Sequence, residues 1–358
     1  MESLEFVYSG RPSKVVFGEG SLSHLTREVL ALNAERALVV CSPEQRETGM
    51  EVAGRLGKQF AGIFDRAVAH VPIELTREAL SLAIALKADS MVVVGGGSAI
   101  GLGKAIALES TLPILAIPTT YSGSEMTPIY GITEFALKRT GTDVRVLPKT
   151  VIYDPGLSTT SPTGLSVTSG INAMAHAAEA LYARDQNPVT SLMAEEGIRA
   201  MTQALREIVR NPVNIAARSN ALYASWLCGT VLGAVGMALH HKLCHTLGGS
   251  FGLPHAQTHT VILPHALGYN TNAAPQAMKR IARAMNADAA AGGIYEFAKE
   301  VCAPMSLREI GMQQADLDRA ADIASANPYW NPQPIDRDRI RSLLQDAFDG
   351  VKPRSWEL

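Results

Sequence analysis

The first 155 residues alternate short aliphatic runs with helix-patterned segments, and that alternation restricts the fold more than any other feature. Residues 14–17 (KVVF), 36–41 (RALVVC), 61–68, 91–94 (MVVV) and 113–120 read as strands. Helical spacing fills residues 43–60, 76–88 and 99–109 between them. Strands that are apolar on both faces and separated by helices predict a parallel sheet covered on each side. From about Ser161 the pattern turns to long helical stretches: 169–183, 189–209, 217–247 and much of 275–348, broken by a turn-rich segment at 325–334. The expectation is an α/β, Rossmann-like domain over residues 1–160 and an all-helical domain over 161–358, with the active site in the cleft between them.

Charge and cysteine content exclude several classes. The 32 basic residues against 34 acidic ones give a net charge of −2, which suits neither a nucleic-acid binder nor a disordered chain. No apolar run is long enough to span a bilayer, and two Glu stand near the start where a secretory signal carries positive charge. Cys41, Cys228, Cys244 and Cys302 are scattered without a CxxC, so no disulfide framework or zinc ribbon is encoded. A soluble globular protein of a reducing compartment, the cytoplasm, without nucleic-acid or membrane partners is expected.

Gly95-Gly96-Gly97-Ser98 follows MVVV and opens a helix. Glycines at such a turn let backbone N–H groups and a helix N-terminus approach a phosphate. The run matches neither GxGxxG, because Ile100 occupies the third glycine position, nor a P-loop, because Ala105 follows Lys104. Taken alone it is as well explained by a tight turn. Pro118-Thr119-Thr120-Tyr121-Ser122-Gly123-Ser124-Glu125-Met126-Thr127 closes the next strand with small and hydroxyl side chains. In an open α/β sheet two such strand ends frame a ligand crevice.

Six of the nine histidines lie between 240 and 265: His240, His241, His245, His255, His259 and His265. His241 and His245 share a helical face, as do Asn172 and His176 on another helix, and His255 follows in a loop-like segment. Such an arrangement has the geometry to hold a divalent metal. It lacks the HExxH of zinc proteases, since Lys242 takes the second position, and no Asp or Glu joins the set, with Glu179 lying a turn beyond His176.

With GGGS-x5-KAIA, PTT, Asp154-Pro155, GINAMAHAAEA and HKLCHTLGG-x3-LPH in place, the chain resembles the iron-containing alcohol dehydrogenase family from about Lys14 to Pro328. The resemblance implies an NAD(P)-binding domain, a helical domain and a family metal whose ligand positions fall on Asn172, His176, His241 and His255. His245 matches a histidine near the nicotinamide. Two residues depart from the family: Asn172 replaces its one anionic ligand, and Gly101 stands where GGGSxxD carries Asp. Both, with GLGKAIAL and PTTYSGSEMTPIYGITE, resemble the maleylacetate reductase branch, regarded as metal-independent. An amide is a far weaker donor than a carboxylate, and its neutrality removes a repulsion of roughly a few kcal/mol against a dianionic substrate.

The resemblance implies NADH or NADPH as coenzyme and no metal. It implies catalysis through His241, His245, His255, His176 and Tyr121, with Asn172, Ser122, Ser124, Thr127 and Lys242 meeting the dicarboxylate. Ser42, Gly95, Gly96, Gly97, Ser98, Thr119, Thr120 and Lys149 are the expected coenzyme contacts. Ser42 stands where the family often has an Asp on the adenosine ribose, so a 2′-phosphate is not repelled and both coenzymes are expected to serve. A homodimer, formed through an N-terminal strand such as EFVYSG (5–10), is also implied. Three alternatives stay open: a metal-dependent alcohol dehydrogenase of the same family, a dehydroquinate-synthase-like lyase, and a histidine-rich metal-binding protein.

Overall fold

A computed structural model describes residues 6–10, 13–134 and 137–355. The chain groups into two compact units. One comprises the described residues of Arg11–Ser161 with Val213–Leu222; the other comprises those of Met1–Gly10, Pro162–Pro212 and Tyr223–Leu358.

The α/β unit runs β1 (Lys14–Phe17), α1 (Leu25–Ala31), β2 (Ala37–Val40), α2 (Arg46–Leu56), β3 (Phe60–Phe64), α3 (Ile73–Ala85), β4 (Ser90–Gly95), α4 (Gly97–Glu109), β5 (Ile114–Pro118), β6 (Ile129–Glu134), β7 (Leu137–Thr142) and β8 (Thr150–Tyr153). Six strands form one parallel sheet in the order β1-β8-β5-β4-β2-β3. From β2 the chain steps outward to β3, then returns past β2 to lay β4, and next β5, on the other side. The switch point therefore lies between β2 and β4, in register at Val40 and Val93. In such sheets the crevice at the carboxyl ends of the two switch strands is where a ligand sits. Both faces are covered: every residue of β2, β4, β5 and β8 is buried, at about 1.5–3 kcal/mol per fully buried large aliphatic side chain. Aliphatic runs of this kind are what made these strands readable. The antiparallel β6–β7 pair was not anticipated.

The second unit is helical: α5 (Thr163–Ala180), α6 (Pro188–Arg210), α7 (Ile215–Ala234), α8 (Leu239–Phe251), α9 (His255–Asn270), α10 (Pro275–Met285), α11 (Ala290–Glu300), α12 (Leu317–Ala326) and α13 (Arg337–Asp349). The first turns of α7 group with the α/β unit and the remainder with this one. α5 packs on α6 and α9, and α8 packs on α9. Residues 217–247, read as one helical stretch, are broken at 235–238 with a 95° bend between α7 and α8. Two carboxylates fix that bend: the exposed Asp185 accepts the Gly236 N–H on Oδ1 at 2.9 Å, and the buried Glu179 accepts those of Ala238 and His240. Among the described residues no single helix is long and apolar enough to cross a membrane. All four cysteines are free thiols.

The expected N-terminal strand is not found at residues 6–10, and Glu5 lies outside the described residues.

Candidate active site

At the switch point β4 ends on Gly95 with φ +135°, a conformation that L side chains rarely adopt. A Cβ at Gly96 would meet Thr120 side-chain atoms at 2.8 Å, so the glycine turn lies directly against the end of β5. The Thr119 N–H donates to Gly95 O at 3.2 Å. Gly95, Gly96, Gly97, Ser98, Thr119 and Thr120 are thus brought together, and Ser42 follows β2 across the switch point. The Gly96 N-cap offers no side-chain cap to α4, which leaves the helix N-terminus as an anion-binding end.

Lys149 does not join this group. Its N–H donates to Ile114 O, and its carbonyl accepts from Lys14 N–H, at the first residues of β5 and β1. In a parallel sheet that is the amino end, roughly 13 Å along the strands from the glycine turn. The segment LPKTVIYDP carries Lys149 ahead of β8, so the expected coenzyme contact is corrected.

Gly101 packs beneath Val71: a Cβ there would lie 2.8 Å from Val71 Cγ2. The family's Asp has no room at this position unless Val71 moves.

The hydroxyl-rich segment after β5 is tied down from beneath. Lys104, buried at 1% exposure, donates from Nζ to Ser124 O at 2.6 Å, Thr127 Oγ1 at 2.9 Å and Ile129 O at 2.8 Å. Burial lowers its ammonium pKa to about 7, against an opposing pull from Glu125. Glu125 is itself buried, and its Oε1 accepts the Tyr153 hydroxyl at 2.7 Å. Tyr121 is 1% exposed, and its hydroxyl accepts from Arg218 Nη1 at 3.0 Å. Thr127 is buried, whereas Ser122 and Ser124 are half-buried. The sequence reading gave no role to Lys104, Glu125 or Arg218.

In the helical unit α5, α8 and α9 bring the histidines together. The His176 and His241 rings lie 5.2 Å apart, and His241 and His245 5.9 Å apart. His255, the first residue of α9 rather than a loop residue, lies 4.3 Å from His259. His259 is fully buried and also neighbours His240 at 4.8 Å and His241 at 5.0 Å. Burial is the main force holding His176 and His259 well below the ordinary imidazole range, and His240 at about 4. His245 and His255 are exposed. His245 Nδ1 lies 3.0 Å from the Tyr329 hydroxyl, whose ring carries the Lys242 ammonium at 5.8 Å.

A carboxylate does belong to this constellation, contrary to the sequence reading. Glu179 is fully buried, and its Oε2 lies 2.7 Å from His241 Nδ1. Burial raises the Glu179 carboxyl and lowers His241, while the donors around Glu179 pull it back. Its sequence signal was weak: three residues after His176, yet its imidazole partner is 62 positions away.

The positions matching the family's metal ligands are Asn172, His176, His241 and His255. Asn172 Oδ1, His176 Nδ1 and His241 Nε2 are buried without hydrogen-bond partners. Among the described residues, the histidines whose donor atoms all lie within 4.8 Å of one another are His240, His241 and His259. His176 and His255 stand outside that trio, and neither set contains an anionic ligand.

Residues 12–155 match the pattern "Iron-containing alcohol dehydrogenase", and residues 166–348 match "Fe-containing alcohol dehydrogenase family, C-terminal". The chain belongs to the iron-containing alcohol dehydrogenase family. It is 58% identical to a maleylacetate reductase of Burkholderia cepacia, over 97% of this chain and 99% of that protein. It is 51% identical to one from Pseudomonas sp. strain P51, over 98% and 100%. The crystal structure of maleylacetate reductase from Agrobacterium tumefaciens superposes with a TM-score of 0.95 at 50% identity, covering 98% of this chain and all of that one. The parallel-sheet α/β unit and the helical unit are the architecture of this family.

Proposed function

We propose that this chain is an NAD(P)H-dependent maleylacetate reductase, reducing the carbon–carbon double bond of 2-maleylacetate to give 3-oxoadipate. The observation that carries the reading is Asn172: a neutral amide at the family's carboxylate position, its Oδ1 buried without a hydrogen-bond partner, as are His176 Nδ1 and His241 Nε2. A pocket of imidazoles without its anion suits a dianionic guest better than a cation. Full-length identity of 58% to a maleylacetate reductase supports the same substrate.

The coenzyme's pyrophosphate fits the Gly95–Gly97 turn and the start of α4, with Thr119 and Thr120 alongside. Hydride passes from the nicotinamide to the alkene carbon β to the ketone, and charge builds on the ketone oxygen as an enolate. A donor aimed at that oxygen lowers the barrier, and His241 and His245 are assigned to it, with His176 and His255 supporting. The proton for the neighbouring carbon comes from His241 rather than Tyr121, whose hydroxyl is buried against Arg218. Asn172, Lys242 and the half-buried Ser122 orient the carboxylates. Ser124 and Thr127 serve through their bonds to Lys104.

Asn172, His176, His241 and His255 lack the family's anionic ligand, so weak metal binding is expected and the reaction is assigned to the imidazoles alone. Ser42 carries no charge to repel a 2′-phosphate, so NADH and NADPH both serve. A cytoplasmic homodimer working in bacterial aromatic degradation is part of the same proposal.

The test is oxidation of NADH and NADPH with freshly prepared maleylacetate, with and without chelator. Turnover unaffected by chelation is expected. A second reading, a metal-dependent alcohol dehydrogenase, draws on the Glu179–His241 contact, because a carboxylate on one imidazole nitrogen also orients metal-bound histidines. Stoichiometric iron or zinc in protein purified without added metal, with activity that follows it, decides for that reading.

A further inference from the structure

In α/β dinucleotide sites a carboxylate at the end of the second strand reads the ribose that joins adenine to the pyrophosphate. Here that place falls to Ser42. Its hydroxyl is committed to the exposed Glu44, and this bond holds the Glu44 carboxyl below the usual carboxylate range. Three residues after Ser42, Gln45 stands at the N-cap of α2, yet its side chain does not cap that helix. It turns back across the switch point instead: its Cγ lies 3.7 Å from where a Cβ on Gly95 would stand. Its Oε1 is buried and has no hydrogen-bond partner in the protein. A buried acceptor left unpaired destabilises a fold, and this one lies beside the glycine turn assigned to the pyrophosphate.

We propose that Gln45 recognises the adenosine ribose of the coenzyme and makes the site indifferent to the 2′ substituent. The proposal rests on the coenzyme reading given above. A ribose carried by a pyrophosphate at Gly95–Gly97 lies between that turn and the end of β2, the gap that Gln45 bridges. An amide accepts through its oxygen and donates through its nitrogen. Oε1 takes the 2′-hydroxyl of NADH; with the amide turned over, Nε2 donates to the 2′-phosphate of NADPH. A carboxylate only accepts, so it suits the hydroxyl and repels the phosphate. Glutamine thus serves both coenzymes where the family's Asp serves one.

The test is coenzyme binding, read from the fluorescence of the reduced nicotinamide with no substrate present. The parent is expected to bind NADH and NADPH within about tenfold of each other. Gln45→Glu is expected to keep the Kd for NADH within about threefold and to raise that for NADPH roughly 10- to 100-fold by like-charge repulsion. Gln45→Leu is expected to weaken both coenzymes roughly 5- to 20-fold, the loss of one hydrogen bond. Its melting temperature stays the same or rises, because the unpaired oxygen is gone; a merely structural glutamine would not lose binding while keeping stability. Glu44→Gln is expected to move the NADH-to-NADPH ratio less than about threefold, its charge being screened by water.

Unaltered Kd values in both Gln45 variants overturn the proposal, as does a larger change of the ratio in Glu44→Gln than in Gln45→Glu. If Gln45→Glu does not fold, the two Kd values of Gln45→Leu decide. A parent that binds neither coenzyme refutes the coenzyme reading and this role with it. A protein that binds both as described yet leaves maleylacetate unreduced refutes the reduction reading and leaves Gln45 its role.

Discussion

The Tyr121 hydroxyl and the Arg218 guanidinium, both buried, are joined by a hydrogen bond of 3.0 Å, and Arg218 Nη2 reaches on to Ser161 O at 3.1 Å. Tyr121 thus anchors the segment after β5. Tyr121→Phe is expected to keep kcat within about fivefold and to lower stability by about 1–3 kcal/mol, the cost of losing a buried hydrogen bond to a charged group. Steady-state kinetics with thermal melts checks this. A hundredfold loss of kcat at unchanged stability returns the tyrosine to the chemistry.

Lys104 holds the same segment from below. Replacing it with methionine keeps most of the volume but removes the bonds to the Ser124 and Ile129 carbonyls and the Thr127 hydroxyl. Hydrogen bonds to a charged group are worth about 1.5–3 kcal/mol each. A clear drop in melting temperature and a rise in the KM for NADH are expected. Unchanged values for both remove Lys104 from this role.

Asn172→Asp restores an anion among the unpartnered imidazole nitrogens. Tighter zinc or iron binding is expected by calorimetry, with kcat/KM for maleylacetate reduced roughly 10- to 100-fold by like-charge repulsion. No gain in metal affinity contradicts the account of this position.

His265, away from the proposed chemistry, gives a pH test. Burial lowers its pKa to about 4, against an ordinary 6.5, so between these values the unfolded chain binds the extra proton. Its stabilising share is complete above pH 6.5 and is lost as pH falls toward 4, on the order of 2 kcal/mol by pH 5. His265→Gln is expected to show a shallower fall of melting temperature between pH 7 and pH 5 than the parent. Parallel slopes refute this.

Much of the architecture was legible because the sheet strands are buried on both faces, where aliphatic runs leave little ambiguity. The glycine turn and the histidine bunching were legible for a related reason: glycine and imidazole are scarce enough that their grouping signals a cause. Connections across sequence distance were not. Nothing local to Lys149 says that it precedes β8 at the amino end of the sheet. The break after α7 lies inside an apolar run that reads as continuous helix, and its cause is Asp185 and Glu179, some fifty to sixty positions upstream.

That break also limits how the chain can vary in length. A helix turns about 100° for each residue, so one residue added to or removed from 235–238 would swing His241 and His245 around the axis of α8 while Glu179 stayed where it is. The residue count of this short link is therefore fixed.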